Sequence, residues 1–75
     1  MNKNRRQQLR KWIDKANVLK DELESIMQDE QESYDSIPEN LQYSERANNS
    51  EEAINLMEEA IGLIDDAIDA VDEIN

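Results

Sequence analysis

The sequence predicts an all-α protein, an antiparallel hairpin of two long amphipathic helices that dimerises into a four-helix bundle. Three observations predict it. Apolar residues recur at steps of three and four in two separate runs, the period of a helical stripe. Phe, His and Cys are absent and there is one Gly and one Pro, so strands, tight turns and disulfide staples have little to be built from. Charge is also segregated: residues 1–20 carry seven Lys or Arg against only Asp14, and residues 21–75 carry eighteen Asp or Glu against only Arg46. Folding the second run back on the first neutralises the basic end and leaves one long acidic surface.

The first helix is expected over about residues 4–33. Leu9, Trp12, Ala16, Leu19, Leu23 and Ile26 form its stripe, widened by Ile13 and Met27, and only Glu30 and Tyr34 continue it. A helix of this length spans about 45 Å. The hinge is expected over about 34–43. There Pro38 cannot continue a helix, and Ser36 stands three residues before Glu39, the spacing of a capping box. Ser44, or Asn49 with Glu52, offers a later start for the second helix.

The second helix, about 44–74, has its stripe at Ile54, Met57, Ile61, Ile64, Ile68 and Val71. Ala53, Ala60 and Ala67 recur beside it every seven residues. Leu56 and Leu63 sit off this stripe as a weaker edge available to a dimer. Gly62 in the helix interior costs about 1 kcal/mol relative to alanine, which a strong stripe tolerates.

Electrostatics favours the hairpin over one continuous helix. Arg5 and Arg6 would sit at a positive dipole end, and Asp69, Asp72 and Glu73 at a negative one. Folding back lets Lys3, Arg5, Arg6 and Arg10 meet Asp65, Asp66, Asp69, Asp72 and Glu73, and brings Trp12 near Ile68 and Val71. Each exposed pair contributes only about 0–1 kcal/mol, so these charges select register rather than supply stability. A chain of 75 residues is one domain, 1–75, with a marginal core, and two helices leave half of each stripe wet. Homodimerisation follows as the expectation.

The composition argues against most chemistry. With no histidine there is no base for a nucleophile and no Glu-x-x-His pair for a di-metal bundle; the lone glycine offers no phosphate-cradling loop. The carboxylates from Asp65 to Glu73 lack the alternating spacing of a calcium loop and read as a solvated acidic face. No enzyme activity, cofactor or metal is expected. The basic opening is not followed by the apolar run of a secretory leader, and nothing approaches a membrane span. A soluble cytoplasmic protein is expected, without membrane contact.

At net charge −11, direct nucleic-acid binding is disfavoured. Carboxylates along a rod can instead imitate a phosphate backbone, which makes Glu51, Glu52, Glu58 and Glu59 candidate contacts to a nucleic-acid-binding protein. Tyr34, Ile37, Leu41 and Tyr43 around the hinge form either a small satellite core or an exposed recognition tip. Arg46, isolated among Glu39, Glu45, Glu51 and Glu52, makes either a local ion pair or a contact to an acidic partner.

The segments Asp29-Glu30-Gln31-Glu32, Ile37-Pro38-Glu39-Asn40-Leu41-Gln42 and Ser44-Glu45-Arg46, with the opening Asn2-Lys3-Asn4-Arg5-Arg6, resemble a family of small, uncharacterised acidic proteins of phages, integrative elements and Gram-positive genomes. Tyr43 stands where that family commonly has glycine. The resemblance implies no activity or site, but it implies a mobile-element accessory that acts on a host component. The leading expectation is a non-enzymatic interaction protein that binds a host or phage protein. The alternative is a structural, self-assembling component of an assembly or virion.

Overall fold

The computed structural model describes residues 1–74 and shows two helices packed side by side, α1 (Lys3–Asp35) and α2 (Glu45–Asp72), joined by a short 3-10 turn at Glu39–Leu41. The molecule is a rod of 59 × 15 × 12 Å.

Helix α1 begins where Asn2 leaves the helical region and its Oδ1 accepts from the Arg5 N–H at 2.8 Å. Ser36 ends it. Its N–H donates to the Glu32 and Ser33 carbonyls and its Oγ to the Glu32 carbonyl at 2.9 Å, so this serine caps the end of α1 and does not open a capping box for a new helix. Ser44 is the true N-cap of α2, its Oγ accepting from the Ala47 N–H at 3.2 Å. Replacing Ser44 with alanine should lower stability by about 1 kcal/mol, measured by urea unfolding.

Between the caps, Ile37 N–H donates to the Tyr34 carbonyl, Leu41 N–H to Pro38 and Ser44 N–H to Leu41. Pro38 sits at φ −55°, ψ 144°, the fixed ring angle that ends helical winding before the 3-10 turn. Among the described residues none has positive φ, so the reversal at Tyr43 needs no glycine.

The seam between the helices differs from the expected one. The residues of α1 turned inward are Leu9, Ile13, Ala16, Lys20, Leu23, Met27, Glu30 and Tyr34, continued by Ile37. They alternate steps of four and three without a break, the 3.5-residue period of a coiled coil. Trp12, Leu19 and Ile26, expected in the stripe, stand one position off it and are 43%, 60% and 57% exposed. The inward row of α2 is Ala47, Ser50, Ile54, Met57, Ile61, Ile64, Ile68 and Val71, which extends the expected stripe by two turns towards the hinge.

Burial is deepest where side chains are smallest. Ala16, Ala47 and Ser50 are buried, Ala47 completely, because small residues at the seam let the two backbones approach. Two cross-helix contacts fix the register: Lys20 Nζ donates to Asp65 Oδ1 at 2.8 Å, and Ser50 Oγ to Glu30 Oε1 at 2.7 Å. The two contacts bracket an alignment in which Ile26 stands about level with Leu56, Leu19 with Leu63 and Trp12 with Ala70. Trp12 therefore lies at the open end as expected, but on the flank of the hairpin.

Gly62 lies on an exposed side of α2, and a Cβ there would meet nothing within 4 Å. Gly62→Ala should therefore gain about 0.5–1 kcal/mol, read as a rise in Tm of roughly 2–8 °C.

Candidate functional site

Charge is distributed along the rod rather than across it. The open half, built from residues 1–20 and 62–74, holds seven cations and six acids. The hinge half, residues 21–61, holds thirteen acids and one cation, Arg46. Like charge at this density raises a strong negative potential over the hinge half and destabilises it by self-repulsion.

Among the described residues a single ion pair forms, Lys20–Asp65. The expected contacts of Lys3, Arg5, Arg6 and Arg10 with the acids of α2 do not form, nor does a local pair for Arg46. Long exposed side chains lose rotamer freedom in such contacts for little Coulomb gain, so the two helix ends attract through the field between them and not through fixed pairs. Lys20 is the exception because it occupies a seam position. Its hydrogen bond to Asp65 raises its pKa above the ordinary 10.5, with the Asp65, Glu24 and Asp21 charges adding to the effect against partial desolvation.

A raised folded-state pKa means that this stabilisation is complete below the ordinary lysine value and is lost as pH rises through the raised one. Melting temperature should thus fall in the native protein as pH rises above the ordinary lysine value and through the raised one, and the fall should shrink in Lys20→Met. A fall of equal size in both proteins would assign the alkaline loss to other groups.

The hinge residues divide. Tyr34 and Ile37 are half-buried and extend the seam, whereas Leu41 is 49% and Tyr43 92% exposed. The four do not make one satellite core. Ile37, Leu41 and Arg46 come together along an open groove with Ser33, Ser36, Pro38 and Ser44, and Tyr43 projects outside it. On the other side of Arg46 a second open groove is lined by Glu30, Glu45, Asn49 and Ser50. Arg46 thus stands between an apolar notch and an acidic one.

Glu51, Glu52, Glu58 and Glu59 are all exposed on α2. Each of the pairs Glu51/Glu58 and Glu52/Glu59 recurs after two helical turns, roughly 10 Å. Among the described residues no group of three or more acidic side chains converges to hold a metal ion, and no helix is long and apolar enough to cross a membrane.

Sequence reasoning missed the polar seam contacts, Lys20–Asp65 and Glu30–Ser50. The available signal was the unbroken four-three alternation from Leu9 to Ile37, which includes Lys20 and Glu30 only if polar residues are allowed inside. Fold and surface define the class: an acidic helical hairpin with an exposed aromatic tip and an apolar flank. No protein-family model, curated protein or solved structure matches the chain.

Proposed function

We propose that the protein is a non-enzymatic interaction module, a hairpin that self-associates into a four-helix bundle and uses its acidic hinge half to occupy the basic surface of a nucleic-acid-binding protein. Its setting is that of a phage or mobile-element accessory acting on a host or phage protein in the cytoplasm. The observation that carries the reading is the hinge half itself: thirteen acids against Arg46, with Glu51, Glu52, Glu58 and Glu59 exposed along one helix. Regularly spaced carboxylates on a stiff rod offer a basic groove the charge it evolved to meet on a phosphate backbone.

The tip supplies shape to this recognition. Tyr43 can bury a ring in a partner while its hydroxyl stays wet, and Arg46 beside it offers a charge of opposite sign for registration. Affinity purification of the tagged protein from nuclease-treated bacterial lysate should retain a basic protein at low salt and release it at high salt. Glu51, Glu52, Glu58 and Glu59 changed together to Gln should weaken that binding by at least tenfold. Unchanged affinity would end the mimicry reading.

The second reading, a structural self-assembling component, is favoured by one observation: the apolar flank of Trp12, Leu19, Ile26, Leu56 and Leu63 left open on the single hairpin. It requires assemblies larger than a dimer, insensitive to salt, in sedimentation.

A further inference from the structure

The geometry points to one arrangement of the dimer: two hairpins packed flank to flank with their hinges at opposite ends, related by a two-fold axis passing beside Leu19 and Leu63. This rests on the self-association proposed above and adds its face, orientation and axis.

The face follows from the heptad positions. Trp12, Leu19 and Ile26 each directly precede a seam residue of α1, as Ala53, Ala60 and Ala67 each directly precede one of α2. In an antiparallel pair such positions lie on the same side of the hairpin. Leu56 and Leu63 lie next to the alanines, so both helices present apolar residues to one flank. The Lys20–Asp65 pair lies on the other side.

The second copy is the occupant for two reasons. The stripe is centred on the rod: Leu19 is the midpoint of α1, with Trp12 and Ile26 seven residues to either side. A two-fold axis at Leu19 therefore returns Trp12 to the position facing Ile26 of the second copy, and the flank is complementary to itself under the one operation that closes a dimer. A face of 59 by 15 Å also supplies about the 800 Å² per partner of a standard interface.

Charge chooses the orientation. With hinges at the same end, two halves of thirteen acids each would oppose one another across packed helices about 8–10 Å apart, a separation at which salt screens only partly. With hinges at opposite ends, each acidic half meets a nearly neutral one. Helix α1 then runs over α1 of the second copy in reverse, bringing Lys3, Arg5 and Arg6 towards that copy's Glu32 and Asp35. Glu51, Glu52, Glu58 and Glu59 stay outside the interface, so the closed dimer carries an acidic tip at each end.

The chain has no cysteine, so single-cysteine variants report proximity directly. Leu19→Cys and Leu63→Cys, made separately and bridged with a short bis-maleimide, should each yield covalent homodimers. A mixture of the two should yield no excess of the 19–63 hybrid, which is the product the same-end arrangement would give. Sedimentation of the native protein should give twice 8.8 kDa, and Leu19→Asp should weaken dimerisation at least a hundredfold while keeping its helical circular dichroism. A native monomer would overturn both the self-association and this geometry. A dimer cross-linked mainly as the 19–63 hybrid, or at neither position, would overturn the geometry and leave self-association standing.

Discussion

Ala47→Leu should lower stability by about 2–3 kcal/mol, equivalent to roughly 10–20 °C in Tm for a domain of this size. Ala47 is completely buried in the first turn of α2, three residues beyond the Ser44 cap that its own N–H donates to. One turn further on, Ser50 reaches Glu30 at 2.7 Å. These two small residues bring the start of α2 against the end of α1, and a leucine adds three heavy atoms at a position that is already completely buried. The short hinge leaves little room to shift, since Pro38 and the successive bonds to the Pro38 and Leu41 carbonyls hold it. Ala47→Ser, nearly equal in volume, should cost less than about 1 kcal/mol by the same urea measurement. An unchanged midpoint in the leucine variant would show that the hinge end is loosely packed.

The two helices and the break at Pro38 were legible because each rests on a local rule: a repeated three-four spacing for the helices and a missing N–H for the break. The inward row of α1 was not. That helix carries two candidate apolar rows one residue apart, and ranking by bulk selects Trp12, Leu19 and Ile26. Packing against α2 selects the neighbouring row, which continues without a break into Tyr34 and Ile37 and faces the small residues at the start of α2. Choosing that row adds Lys20 to the seam, where the expected stripe already ran on to Glu30, and only their cross-helix partners make the two polar residues tolerable there.

The candidate site was legible to the same degree. Its charge segregation is a property of composition along the chain and carries directly into a folded rod. The fate of each hinge aromatic is not local: Tyr34 and Tyr43 have the same chemistry, yet one continues the seam and the other leaves it, because the 3-10 turn between them rotates the chain away. Ser36 and Ser44 show the same limit for caps. Both have the residue type, but only the reversal of the chain decides which ends a helix and which begins one.

Replacing the polar seam pair with apolar residues, Glu30→Leu together with Ser50→Ala, should raise stability by about 1–3 kcal/mol. Glu30 keeps part of its surface in water and one hydrogen bond to Ser50, so its place in the seam forgoes apolar burial that a leucine would supply. Removing a carboxylate from the crowded hinge half adds to the gain by relieving repulsion, and that part should diminish as sodium chloride is raised. Ser50→Ala alone leaves the glutamate without its partner and should lower stability by about 1 kcal/mol, so the two changes are strongly non-additive, as a double-mutant cycle would measure. The polar pair is then a device for register: Ser50 and Glu30 bond in only one alignment of the helices, whereas aliphatic seams tolerate a slip of seven residues. The more stable double variant should accordingly show broader amide resonances or several oligomeric species where the native protein is expected to show one. A stabilised variant that stays a single species would assign register to Lys20–Asp65 alone, and a destabilised one would show that the native seam has no room for leucine at that level.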